Sequence, residues 1–327
     1  MKKVFALLVC LLLAFTCACT PENQPGEPKE NLKFGLGVYA YVSDAKNATE
    51  ETDGAVKTSV CVAAVSLNKD GKVVDCAVDA IDVELKFKND GKAIAPTETS
   101  TKYELGTKYG MTAFGAKKEW FEQADAFVSM CKGNSLEEIK AEAAKQDTND
   151  FISAGCTIDV SDFIFALEKA VANAKDSTAT ADDVVKLGVV TEPLTTKDAT
   201  SEKAGENGMD ITVAAVAKNK DGKVTAMSVD TVEVKATFDE KGETTVEKGK
   251  KLTSKYALGA KYGMTAYGAK KEWFEQADVF SAACVGKTAA EIAATQGSDG
   301  KAISEIQTAG CTITVSAFVA SAVKAAN

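Results

Sequence analysis

Apolar residues fall along this chain in two rhythms, and both are written twice. Ser59 to Leu67 is a nearly unbroken apolar run. The turn Asn68-Lys-Asp-Gly71 follows, and Lys72 to Val78 continues as a second strand. Asn, Asp and Gly at that turn supply hairpin chemistry. Val83, Leu85 and Phe87 then alternate with charged residues, the period-two mark of a strand with one buried face. The same order returns in Val213 to Val216, in Asn219-Lys-Asp-Gly222, and in Val234, Ala236 and Phe238.

The second rhythm is helical. Trp120, Ala124, Phe127 or Val128, and Cys131 recur at helix spacing, and their counterparts start at Trp273. Ser135-Leu-Glu-Glu138 and Thr288-Ala-Ala-Glu291 read as capping boxes opening a further helix in each copy. A last helix is expected near Ser161–Ala174 and near Ser316–Ala326. Strands precede helices in each half, an α+β order with no β-α-β alternation. The fold expected is two homologous tandem domains, each an antiparallel sheet followed by helices. They cover 32–174 and 184–327, with a linker at 175–183 rich in small and polar residues.

Between strands and helices lies the strongest sign of duplication. Lys102–Asp125 and Lys255–Asp278 differ only at Glu104/Ala257, Thr107/Ala260 and Phe114/Tyr267. The front of this stretch carries Gly106, Gly110 and Gly115. Tyr109-Gly-Met and Phe114-Gly-Ala-Lys-Lys match neither a P-loop nor a dinucleotide fingerprint, so the glycines are read as tight turns before a helix. Lys117 and Lys118 stand where a helix start would favour a bound anion. Trp120 and Trp273 are expected as core anchors.

Charge and composition narrow the chemistry. The formal charge of −9 opposes nucleic acid and anionic lipid. The chain contains no Arg and no His, which excludes guanidinium clamps, imidazole bases and His-ligated metal. Cys131 and Cys156 have counterparts in Cys284 and Cys311, whereas Cys61 and Cys76 have none. Each repeated pair is open to two readings, a disulfide or two small buried residues.

At the N-terminus, Met1-Lys-Lys precedes a short apolar stretch, Val4 to Phe15, and then Thr16-Cys-Ala-Cys19. Residues 1–19 resemble a bacterial lipoprotein signal with Cys19 as the lipidated residue, Cys17 being the alternative; an ordinary cleaved signal is the other reading. Residues 20–31 form a proline-rich tether. The resemblance implies a chain held by N-terminal diacylglycerol at the extracytoplasmic face of the cell membrane.

The closing segments Ala154-Gly-Cys-Thr-Ile-Asp-Val-Ser-Asp-Phe163 and Ala309-Gly-Cys-Thr-Ile-Thr-Val-Ser-Ala-Phe318 resemble the end of FMN-binding domains. Those domains occur in flavin-carrying subunits of electron-transfer complexes and in exported lipoproteins. The resemblance implies Thr157 and Thr312 as acceptors of covalent FMN through a phosphoester, with Gly155 and Gly310 shaping the turn and Cys156 and Cys311 between. The partners implied are a flavin transferase and redox proteins. Ala154 and Ala309 stand where the family has Ser, and Cys156 and Cys311 where it has Ala; Asp150 and Glu305 lie one place too early for the family's acid. The whole chain also resembles exported clostridial-type lipoproteins carrying Lys-Glu-Trp-x-Glu-Gln. Two functions follow as expectations: an electron carrier, whose cofactor brings the chemistry, or a flavin-free surface or ligand-binding lipoprotein on the same fold. Whether the chain is an enzyme is left open, an electron carrier or binding protein fitting better than an enzyme with its own substrate.

Overall fold

A computed structural model describes residues 30–145 and 150–327. The expected signal, Cys19 and most of the tether lie outside the described residues. The fold is mixed α+β with antiparallel sheets. Its first half runs β1 (Lys33–Lys46), β2 (Gly54–Leu67), β3 (Val73–Phe87), β4 (Ala93–Ile94), α1 (Lys102–Leu105), α2 (Trp120–Cys131), α3 (Leu136–Ala143), α4 (Asp150–Ala154) and α5 (Ser161–Ala172). After β5 (Lys175–Asp176) the order recurs. It continues as β6 (Val184–Pro193), β7 (Gly205–Lys218), β8 (Val224–Phe238), β9 (Lys251–Leu252), α6 (Lys255–Leu258), α7 (Trp273–Cys284), α8 (Ala289–Ala293), α9 (Ser304–Ala309) and α10 (Ser316–Ala326).

β1 and its counterpart β6 are strands that the sequence reading passed over, although Phe34, Leu36, Val38, Ala40 and Val42 alternate cleanly and all are buried. The apolar run of β2 has a physical cause. Val60, Val62 and Ala64 enter one core, while Cys61, Ala63 and Val65 enter another, so this central strand is buried on both faces. β3 is a single strand that joins the two segments read separately from the sequence.

One core cluster holds the inner faces of both sheets, from Leu32 and Val60 in the first half to Ile211 and Phe238 in the second. The rings of Phe87 and Phe238, at equivalent positions, stack there with centroids 4.4 Å apart. Each outer face carries its own helices: α2 to α5 cover the first sheet and α7 to α10 the second. The layers therefore run helix, sheet, sheet, helix.

The halves also trade backbone. β9 pairs with β1, placing Leu252 opposite Ala40 and Lys251 opposite Tyr41. Asn207 donates to the Lys86 and Ile94 carbonyls at 3.0 and 2.6 Å, and Thr99 N–H donates to Thr191 Oγ1 at 3.0 Å. The segment expected as a linker is woven in as well. Within it β5 pairs with β1, and Ala179 is fully buried.

The closing helices sit directly on β1 and β6. A Cβ at Gly37 would lie 2.0 Å from the Ala166 carbonyl oxygen, and one at Gly188 would lie 2.1 Å from that of Ser321. Glycine at these two places lets helix backbone touch strand backbone. That contact fixes where the segments before α5 and α10 emerge.

Candidate functional site

Thr157 and Thr312 each follow a left-handed glycine at the end of a short helix, with φ of 99° at Gly155 and 117° at Gly310. Both threonines are exposed, and Cys156 and Cys311 beside them are buried. The turn is pinned from beneath by a glutamine that the sequence reading did not single out. The Oε1 of Gln123 accepts from Thr157 N–H at 2.8 Å, from the Thr157 hydroxyl at 3.0 Å and from Ile158 N–H at 3.2 Å. Gln276 does the same for Thr312 N–H, the Thr312 hydroxyl and Ile313 N–H at 2.8, 3.2 and 3.2 Å. Each glutamine is 1% exposed and donates from Nε2 to the carbonyl of Lys118 or Lys271. A buried side-chain amide that satisfies several backbone groups is a strong constraint on local shape. The signal was present in the sequence as the repeated Glu-Gln of the duplicated stretch.

Lysine covers the same turn from outside. Lys118 Nζ donates to the Ala154 carbonyl at 3.2 Å, and Lys271 Nζ to that of Ala309 at 3.2 Å. A Cβ at Gly155 would lie 2.1 Å from Lys118 Nζ. Glycine therefore leaves room for the ammonium. Lys118, expected near an anion, is engaged by a backbone carbonyl, and Lys117 has no such contact among the described bonds.

The glycine-rich loop that supplies these lysines is held rigidly. Glu119 accepts from Met111 N–H at 2.9 Å, from Thr112 N–H at 3.2 Å and from the Thr112 hydroxyl. The hydroxyl first, and then the backbone N–H groups, hold its carboxyl below the usual glutamate range. Glu272 repeats the arrangement with Met264 and Thr265, its carboxyl likewise lowered, chiefly by the Thr265 hydroxyl. Left-handed Gly110 and Gly115 bracket the turn that lifts Phe114 into solvent, 92% exposed. At the loop's entry, Asp79 accepts from Ala80 N–H and Tyr103 N–H at 2.7 and 3.2 Å, and Asp230 accepts from Thr231 N–H and Tyr256 N–H at 2.7 and 3.0 Å. Burial pushes both carboxyls up to about 6. Trp120 and Trp273 are core anchors, each 5% exposed and edge-on to Phe163 or Phe318.

In the first half a cavity of about 250 Å³ opens beside the turn. The sheet contributes Tyr41, Ser59, Cys61 and Asp82, the loop Tyr109 and Met111, and the closing segment Ile158, Asp159 and Asp162. Asp82 accepts from the Ser59 hydroxyl at 2.7 Å and pairs with Lys102 at 3.0 Å. Asp162 accepts from the Tyr41 hydroxyl at 3.1 Å, and burial raises its carboxyl above the ordinary value.

The six described cysteines are free and buried. The Cys131 thiol is held well above its ordinary value by Cys76 first and by burial second, so the pairing partner considered from sequence, Cys156, is one of two neighbours. Burial also pushes Cys156 and Cys311 up to about 11, which keeps both thiols protonated and poorly nucleophilic at neutral pH.

The residues present fit one part of FMN and not another. An exposed hydroxyl on a turn whose glycine lies under a lysine ammonium suits a phosphoester. The carboxylate-walled cavity does not suit an anionic group. Among the described residues no helix is long and apolar enough to cross a membrane. No family model matches the chain, and neither a curated protein nor a solved structure does.

Proposed function

We propose that this chain is a membrane-anchored extracytoplasmic flavoprotein built of two homologous tandem units, each offering one threonine, Thr157 or Thr312, to a flavin transferase. The observation that carries the reading is the twofold recurrence of one arrangement. An exposed hydroxyl is held by a buried glutamine, on a glycine turn whose preceding carbonyl accepts from a lysine. FMN, when bound, supplies reversible electron exchange with redox partner proteins. The chain's own residues position it: Gln123 and Gln276 aim the hydroxyl, and Lys118 and Lys271 offset the phosphate charge. Cys156 and Cys311, turned into the core, hold the turn's inner side.

A second reading is a flavin-free ligand-binding lipoprotein, favoured by the acidic cavity next to Thr157 and by Ala154 and Cys156 in the acceptor motif. Visible absorbance separates the two. Protein exported together with a flavin transferase should carry flavin colour that survives denaturation and vanishes in the Thr157→Ala/Thr312→Ala double variant. Colourless protein from the same cells supports the second reading.

A further inference from the structure

The cavity of the first half contains a carboxylate that the acceptor turn does not use. Asp162 stands at the start of α5, and among the described interactions its one hydrogen bond is from the neutral Tyr41 hydroxyl, at 3.1 Å. Among the described residues it forms no ion pair, and Lys102 reaches it only through space. Among the described residues the cation lining the cavity is Lys102, which is paired with Asp82 at 3.0 Å and faces the Tyr109 ring at 5.3 Å from its centroid. Asp159 adds a third carboxylate at the rim, accepting from Ser161 N–H at 2.8 Å. Three carboxylates thus face one ammonium across about 250 Å³ walled by Tyr41, Tyr109, Trp120 and Met111. Aromatic faces and an uncompensated carboxylate are the two features that recognise an organic cation.

We propose that this cavity binds a small organic cation through a primary ammonium group, which pairs with Asp162 and lies against the Tyr41 and Tyr109 rings. The alkyl part of the ligand packs on Met111 and Ile158. The proposal does not depend on the flavin reading. The second half differs at the equivalent positions. It keeps Lys255, Tyr262, Met264 and Trp273, but it has Ala317 in place of Asp162, Thr314 in place of Asp159 and Glu192 in place of Tyr41. Lys255 there pairs with Asp210 at 2.7 Å. Glu192, Asp210 and Glu233 lie close to that ammonium, so the first half is set apart by carboxylates on its closing segment and not by their number.

Titration calorimetry on the full mature chain tests this with three probes: 1,4-diaminobutane, N-acetyl-lysine methylamide and neutral 1-butanol. One saturable site is expected for an amine and none for butanol. A site that takes the diamine points to free amines, and one that takes only the lysyl amide points to a lysine side chain of a partner. Asp162→Asn should weaken binding by about tenfold or more. Asp162→Ala should do the same and carries little folding risk, because it installs the residue that the second half already has. Thr314→Ala should leave binding unchanged. Absence of a saturable site for either amine overturns the proposal. So does butanol binding equal to amine binding, or affinity undiminished in both Asp162 variants.

Discussion

The two halves of this molecule keep one surface and rebuild another. At the closing turn the Gln123 and Gln276 contacts to backbone N–H agree within the distances given above, and the lysine bridges are the same length. A few ångströms away, Tyr41, Ser59, Cys61 and Asp162 give way to Glu192, Asp210, Thr212 and Ala317. The contrast has a physical basis. The turn's side chains satisfy backbone groups, so replacing one leaves buried donors without partners. The cavity's side chains face open space and one another, so they can change as a set. A duplicated fold thus reveals which residues serve the backbone and which serve whatever enters the cavity.

The largest test of this contrast is at the glycines under the closing helices. Gly37→Ala and Gly188→Ala each force a methyl group onto a backbone carbonyl. Each should cost more than about 3 kcal/mol, beyond ordinary overpacking, because backbone and not a flexible side chain must move. Urea denaturation should show one shared transition, since one core joins both halves. Two separate transitions with only one displaced would break that part of the comparison.

Next come the glutamines. Gln123→Ala and Gln276→Ala each strand two backbone N–H groups and a hydroxyl, and each should destabilise by about 2–4 kcal/mol. Similar losses for the two would sharpen the claim that the turns are equivalent; a loss in one half alone would break it.

Asp79 and Asp230 predict a pH effect of up to about 3 kcal/mol each. Their carboxyls titrate at about 6 in the folded chain and at 3.8 as ordinary aspartates. The folded state therefore binds more protons between those values. Their contribution is full below pH 3.8 and is lost as pH rises through 6. Stability should fall from pH 4 to pH 6 in proportion to these two groups, and Asp79→Asn with Asp230→Asn should flatten that slope. Glu119 and Glu272 act in the opposite sense: held low, they contribute above the ordinary glutamate pKa and fail as pH falls through their folded values. The smallest effect expected is that of Glu119→Gln or Glu272→Gln. Faster amide exchange should appear at Met111–Thr112 or Met264–Thr265, with little change in global stability.

Much of this was legible in the sequence because duplication repeats every local signal. The β2–β3 hairpin, the α2 face built on Trp120 and Phe127, and the capping boxes at Ser135 and Thr288 all stand where pattern and chemistry place them. β1 was passed over although its alternation is clear, and its Gly35 and Gly37 are the contact points of α5. The shared core and the crossing of β9 onto β1 were not legible. Alternation says that a face is buried and does not say against what. Gln123 was hidden for a related reason: a polar residue on a helix reads as surface until its partners are known. The cavity around Asp162 brings together five separate segments, which no local pattern can do.

The central proposal is that the two closing turns are equivalent acceptors on a pair that diverges at the cavity. Intact mass of the mature protein, exported with a flavin transferase and compared with Thr157→Ala and Thr312→Ala, tests it most directly. Two FMN-sized adducts are predicted, each lost with its own threonine. No adduct on either turn, in cells where a control acceptor is modified, would contradict it.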